Sequence, residues 1–303
     1  MKNRKKDYIT IILAAAFWAV NLIIGYYHDY DIAVNVYSEN NMAAVIISAA
    51  ASFFFYGSFV FFLGVLCRQL VLSVEKTYLK CLIVIIYTVF ALTTSTYGAS
   101  GFLSDSVCGF LIKNNTHSIT QYITAGLITL LPFYPLGILA NGKRRDKAVV
   151  RDLIIILSVL TAALFFSNIV KGWFMRPRYR ITLLGYDSIG FVPCFSAFTD
   201  GRELKETYSL VYDDLASFFS GHAMHSMLAI MILPAYRYVF TKLKGKENAL
   251  TGIALIISLP IAFSRMVLGD HYLSDISAGA IAGLIFCAIY YLLSAKAAAY
   301  HNT

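Results

Sequence analysis

The sequence predicts an all-α, polytopic transmembrane helical bundle, and three observations carry that expectation. Of its 303 residues, 58% are hydrophobic and 15% aromatic. Only 14% are charged, against about 25% in a soluble globular protein. Apolar runs of about twenty residues, the length that crosses a bilayer core, recur along almost the whole chain.

Eight spans are expected, over about 8–27, 42–66, 79–98, 118–140, 148–171, 221–240, 249–268 and 274–295. The first follows Met1-Lys2-Asn3-Arg4-Lys5-Lys6. Its apolar run to about Tyr27 exceeds a typical signal-peptide core and further spans follow, so an uncleaved first helix is expected. The second begins with small residues (Ala43, Ala44, Ser48, Ala49, Ala50, Ala51) that favour close helix packing. Pro132 and Pro135 are expected to kink the fourth span and Pro260 the seventh, for packing. A single membrane domain, 1–303, is expected. Its spans to about residue 147 precede a segment, about 148–295, that carries the chemistry.

The net charge of +8 does not point to nucleic acid, because most Lys and Arg lie in short connections beside apolar runs. That is the positive-inside pattern. Cations at the N-terminus, around Arg68–Lys80, Lys143–Arg151 and Arg237–Lys246, and at Lys296 all fall on one side of an eight-span chain. The other side has an acidic first connection (Asp29, Asp31, Glu39) and a third connection with only Lys113. Both termini are therefore expected in the cytoplasm, with a plasma-membrane location. The remaining charged motifs are expected on the extracytoplasmic face.

The longest hydrophilic stretch, about 172–219, joins the fifth and sixth spans on that outer face. Either a cap or an ordinary exposed loop would account for it. Cys108 and Cys194 both fall in outer connections, where either a disulfide or two free thiols is expected. No Cys or His cluster has zinc spacing.

The chemistry is concentrated in three segments: Lys171-(six residues)-Arg178, Ser220-Gly221-His222, and Ser264-Arg265-(five residues)-His271-(three residues)-Asp275. His271 and Asp275 share a helical face if the eighth helix begins near them. A carboxylate bonded to one imidazole nitrogen leaves the other free to attack. Ser220 is a good N-cap and Gly221 permits close backbone approach, so a phosphate can meet a helix N-terminus there. His222, in that first turn, is suited to protonate a departing oxygen. Lys171, Arg178 and Arg265 supply positive charge for phosphate oxygens. The last two segments are separated by two crossings, which return the chain to the face it left. Each segment alone has a bland reading, respectively a snorkelling lysine, a capped helix and a structural His–Asp bond.

Together the three resemble the tripartite signature of the type 2 phosphatidic-acid phosphatase superfamily, which also includes bacterial undecaprenyl-diphosphate phosphatases and soluble vanadium haloperoxidases. The third segment fits that pattern throughout. The second has Phe219 where the family usually has Pro, and Ser217–Ala223 is similar to eukaryotic lipid phosphate phosphatases. In the first, Tyr179 replaces a Pro after Arg178, and an Arg-Pro pair occurs earlier at Arg176-Pro177. Spacing favours Arg178 for phosphate binding, with Arg176 as the alternative. The resemblance implies a six-helix core in which His271 attacks phosphorus, Asp275 orients it, and His222 protonates the leaving group and then activates water. It also implies that Lys171, Arg178, Ser220, Gly221 and Arg265 hold the phosphate, without a metal or other cofactor. His225 and Asp270 match no motif position and are expected to be structural.

The expected activity is hydrolysis of a lipid phosphate or diphosphate, with the bilayer and the lipid substrate as partners. The alternatives are a lipid phosphotransferase or a non-enzymatic lipid carrier. Phosphatidate, phosphatidylglycerol phosphate and undecaprenyl diphosphate all remain open as substrates.

Overall fold

The computed structural model describes residues 2–103, 118–140, 146–196 and 201–299. Cys108, Lys113, Lys143, Arg144 and Arg145, used in the expectations above, lie outside the described residues. The chain is an all-α polytopic helical bundle, with no strand among the described residues. Its helices are α1 (Lys2–Val36), α2 (Met42–Val71), α3 (Thr77–Phe102), α4 (Ile119–Thr129), α5 (Phe133–Ala140), α6 (Lys147–Phe174), α7 (Tyr179–Thr182), α8 (Gly201–Thr207), α9 (Gly221–Ala235), α10 (Glu247–Val267) and α11 (Leu273–Ala299). Among the described residues, seven segments are long and apolar enough to cross a membrane: those of α1, α2, α3, α4–α5, α6–α7, α10 and α11.

Three elements differ from expectation for local reasons. First, α1 runs to Val36 rather than ending near Tyr27. No Gly or Pro follows Gly25 within it, so nothing interrupts its hydrogen-bond ladder. Asp29, expected in an acidic connection, is therefore helical, and it is buried. Second, the predicted fourth span is broken, not merely kinked. Leu130 and Leu131 N–H both return to the Gly126 carbonyl, Pro132 offers no N–H, and α5 restarts at Phe133. Pro260, by contrast, lies inside a continuous α10. Third, the predicted sixth span is a 15-residue helix, α9, followed by 3-10 turns at Tyr236–Tyr238 and Thr241–Leu243. Fifteen residues rise about 22 Å, less than a bilayer core of about 30 Å. Its side chains from Met227 to Ile232 are buried by protein, which accounts for the apolar run.

The chain forms two compact units, each assembled from separate segments. One comprises Met1–Ser48, Ala162–Leu228 and Ile253–Ala288; the other comprises Ala49–Thr161, Ala229–Gly252 and Ile289–Thr303. Within the second, α2 and α5 cross at Gly64 and Gly137. A Cβ at Gly64 would lie 2.1 Å from the Tyr134 carbonyl oxygen, and one at Gly137 would lie 2.1 Å from that of Phe61. A buried polar fastening sits in the same unit, where the Tyr238 hydroxyl donates to Asp152 (2.6 Å).

The first unit contains all three motif segments. Here α9 meets α11 at Gly279-x3-Gly283, the small-residue spacing that lets helix backbones touch. A Cβ at Gly279 would lie 2.3 Å from the Ser220 carbonyl oxygen, and one at Gly283 would lie 2.6 Å from that of Met224. The stretch 172–219 is folded over its described residues. Ile181, Ile189, Leu204, Leu210 and Leu215 form a small buried core, with Met175, Tyr186 and Tyr208 packed against it.

Candidate active site

The first segment leaves α6 with Lys171 in the last turn. Met175 adopts a left-handed φ of 41° and turns the chain. Pro177 then disfavours helix at Arg176, and Arg178 is extended before α7. Residues 176–178 run beside 214–217: Arg178 N–H donates to the Asp214 carbonyl (3.0 Å) and Ser217 N–H to the Arg176 carbonyl (3.0 Å).

The two arginines take different partners. Arg176 is buried and has each nitrogen occupied. Its Nε donates to the Val192 carbonyl (2.8 Å), Nη1 to Ser274 Oγ (3.0 Å) and Asp275 Oδ1 (2.5 Å), and Nη2 to Asp29 Oδ2 (2.9 Å). The Tyr272 ring covers its face at 4.1 Å. Arg178 Nη1 pairs with Asp270 (2.6 Å) and Nη2 with Asp213 (2.5 Å), while its buried Nε has no hydrogen-bond partner among the described residues. Arg176 thus commits four of its five N–H donors, and all three nitrogens, to protein groups, whereas Arg178 Nε is uncommitted among the described residues.

The second segment starts α9. Ser220 is fully buried and its Oγ accepts from Ala223 N–H (3.4 Å), an N-cap. Ser220 N–H donates to the Asp275 carbonyl (3.0 Å), which ties this turn to the third segment. At Gly221, an added Cβ would sit 3.9 Å from Lys171 Nζ, so the glycine and the amine are neighbours. His222 is half-buried and within electrostatic range of Arg265, His225, His271 and Lys171.

The third segment leaves α10 through Gly269, whose φ of 68° suits glycine. Asp270 and His271 N–H both return to the Arg265 carbonyl (3.1 and 3.2 Å). Because α11 begins at Leu273, His271 lies in the turn before it and not on a shared helical face with Asp275. His271 Nδ1 is 2.6 Å from the Ser217 carbonyl and 3.8 Å from Asp275 Oδ2. The expected carboxylate bond is therefore an ion-pair distance, and a backbone carbonyl takes the nitrogen instead. A carbonyl only accepts, so Nδ1 carries the proton and Nε2 carries the lone pair. Asp275 holds this turn from beside it, accepting from Ser217 Oγ (2.5 Å), Tyr272 N–H (2.9 Å) and Arg176.

Burial pushes the His271 imidazole down to about 4; the nearby Asp275 carboxylate opposes this, and the Arg178, Lys171 and Arg265 cations reinforce it. The ring is consequently neutral near pH 7, as a nucleophile must be. Asp270, expected only as a local hydrogen-bonding group, is fully buried among three cations. It pairs with Arg178 (2.6 Å), Arg265 (2.7 Å) and Arg180 (3.2 Å). Burial would raise its carboxyl, but Arg265, Arg178 and Arg180 together hold it well below the usual carboxylate range. The carboxylate holds both motif arginines at one point.

Lys171, Arg178, Ser220, Gly221, His222, Arg265, His271 and Asp275 thus belong to one unit, with Arg176 behind them. Sequence reasoning missed Asp29, Ser48, Asp213, Ser217 and Ser274. Ser48 Oγ accepts from Arg265 Nη1 (2.5 Å), and Asp29 accepts from Ser274 N–H (2.9 Å) as well as from Arg176. A readable signal existed for Asp29. A carboxylate within an uninterrupted apolar helix is costly enough to require a partner. Cys194 is a buried free thiol. No metal-holding group of His, Cys, Asp or Glu occurs among the described residues.

No curated protein and no solved structure matches this chain. Residues 152–298, which include all three segments, match the PAP2 superfamily. That segment belongs to the type 2 phosphatidic acid phosphatase superfamily, and the chain that carries it is an integral membrane protein with a lipid-phosphatase-type function.

Proposed function

We propose that this protein hydrolyses a lipid phosphate or diphosphate ester through a phosphohistidine formed on His271, at the extracytoplasmic face of the plasma membrane. The observation that carries the reading is the Nδ1 bond to the Ser217 carbonyl. It directs the lone pair to Nε2 within the charge field of Lys171, Arg178 and Arg265. In the first step Nε2 attacks the terminal phosphorus, its bond to the bridging oxygen of the leaving lipid alcohol or lipid monophosphate breaks, and His222 donates a proton to that oxygen. In the second, His222 takes a proton from water, the water oxygen attacks phosphorus, and the P–N bond breaks to release inorganic phosphate. Lys171, Arg178, Arg265, Ser220 and the Gly221 N–H balance charge on the transferring group, whose stabilisation is the main catalytic task. Arg178, with an uncommitted Nε, suits this role better than Arg176, whose three nitrogens all bond to protein groups. Asp275 acts through Ser217 and Arg176 to hold the His271 turn. The reaction as written needs no metal.

Phosphate release by purified protein in detergent, across phosphatidate, phosphatidylglycerol phosphate and prenyl diphosphates, tests the reading. Orthophosphate should appear with at least one substrate and be lost in His271→Ala. Transfer of the phosphate to a second lipid instead of water would favour a phosphotransferase. Wild-type turnover in His271→Ala would reject the nucleophile.

A further inference from the structure

The polar group least explained by the three motifs is Asp29. It is on α1, outside the family-matched segment, and only 2% exposed. Both its oxygens are engaged at the catalytic turn. Oδ1 accepts from Ser274 N–H (2.9 Å), and Oδ2 accepts from Arg176 Nη2 (2.9 Å) and from Ser274 Oγ. Gly25, one turn earlier, makes this approach possible: a Cβ there would lie 2.5 Å from Ser274 N. The chain that follows stays on the same segment. Ser38 N–H donates to the Val267 carbonyl (2.9 Å), and Tyr37 lies against Gly269, where an added Cβ would meet its ring at 2.8 Å. Ala33 and Tyr37 also pack with Tyr179 and Tyr272.

We infer that Asp29 is a positioning residue for the nucleophile, so that the working catalytic unit includes α1 as well as residues 152–298. The inference rests on the reading of His271 given above. A buried carboxylate is a poor way merely to pack a helix, since an apolar residue of similar volume commonly serves as well or better. What a carboxylate adds is a fixed charge and geometry. Asp29 holds one edge of the Arg176 guanidinium and Asp275 holds the other. With Oδ1 of Asp275 so occupied, its Oδ2 takes Ser217 Oγ and Tyr272 N–H. The Ser217 carbonyl in turn fixes His271 Nδ1. The chain of contacts is Asp29, Arg176, Asp275, Ser217, His271, with each link at hydrogen-bond distance. A charged group four links away acts only through orientation, which sets its expected signature.

The experiment is a double-mutant cycle on the full-length protein in detergent, reading kcat and KM for phosphate release from the best lipid phosphate. Asp29→Asn should lower kcat about tenfold to a hundredfold while KM stays near wild type, as for misplacement of a reacting group. In an Asp275→Asn background the same change should have less than about a twofold effect, because the link it acts through is already cut. Wild-type kcat in Asp29→Asn, or an undiminished effect in the Asp275→Asn background, would overturn the inference and leave only a packing role. If Asp29→Asn does not fold, Ser274→Ala carries the test. It removes the hydroxyl shared by Asp29 and Arg176 and should also lower kcat at constant KM; unchanged kcat would overturn the inference. A His271→Ala arm separates the two levels. Full turnover there rejects the nucleophile and this inference with it, whereas a dead His271→Ala beside a fully active Asp29→Asn rejects only the inference.

Discussion

Replacing Arg176 and Arg178 separately, each by Met, should produce opposite phenotypes although the two are neighbours in one extended segment. Arg176 pairs with Asp29 and Asp275, whose side chains are 1% and 0% exposed. Removing it strands two carboxylates away from water. Breaking a buried pair in this way costs about 3–5 kcal/mol. The remaining partners of these carboxylates are neutral donors at Ser217, Tyr272 and Ser274. Arg178 pairs with Asp270 and Asp213. Without it, Asp270 keeps Arg265 and Arg180, and Asp213 is exposed enough to be hydrated. The stability loss should then be about 1 kcal/mol, that of a partly exposed pair. Arg178→Met should instead lower kcat/KM about a hundredfold to a thousandfold, as expected for loss of one charge-stabilising donor set. The assay pairs thermal unfolding in detergent with phosphate release well below Tm. Arg176→Met should lose roughly 10 °C in Tm, and Arg178→Met should lose only about 2–4 °C but most of its turnover. A stable Arg176→Met beside a fully active Arg178→Met would refute the assignment.

Three further outcomes follow from the same geometry. His271, neutral in the fold with an imidazole at about 4 against an ordinary 6.5, binds fewer protons folded than unfolded between those values. Stability should therefore be fully present above pH 6.5 and fall as pH drops toward 4, by up to about 3 kcal/mol; a His271→Ala protein with the same slope would contradict this. Gly279→Ala places a methyl 2.3 Å from the Ser220 carbonyl. It should cost about 1–3 kcal/mol and reduce phosphate release together with Tm, whereas wild-type values for both would contradict the close crossing of α9 and α11. Gly190→Cys, in a Cys81→Ser, Cys108→Ser background, should react in intact cells with a membrane-impermeant thiol reagent, and labelling only after lysis would invert the proposed topology.

The three motif segments were legible because each is short and its spacing is set by local geometry. Ser220 caps a helix that its own sequence starts, and the turn from Arg265 to Asp275 is closed by its own backbone bonds. What the sequence concealed depends on distant partners. Asp29 reaches Ser274 across 245 positions and Arg176 across 147, and no spacing rule spans such a separation. Without those contacts Asp29 reads as an acidic loop residue beside Asp31 and Glu39. The His271–Asp275 spacing suggested a direct helical pair, but α11 starts two residues after His271, and Ser217 fills the gap. An apolar run alone could not distinguish a span facing lipid from α9, a shorter helix surrounded by protein. Likewise, the spread of Ile and Leu through 181–215 gives no periodic signal, because its small core is assembled from turns.

The central claim is that His271 Nε2 becomes covalently bonded to phosphorus during turnover. Rapid alkaline quench of protein reacting with a lipid phosphate labelled in the phosphoryl group, followed by peptide mapping, tests it directly. The account predicts an alkali-stable, acid-labile label on the peptide containing His271, which chases into orthophosphate and is absent in His271→Ala. Label on another residue, or steady release of phosphate with no labelled protein at any quench time, would contradict it.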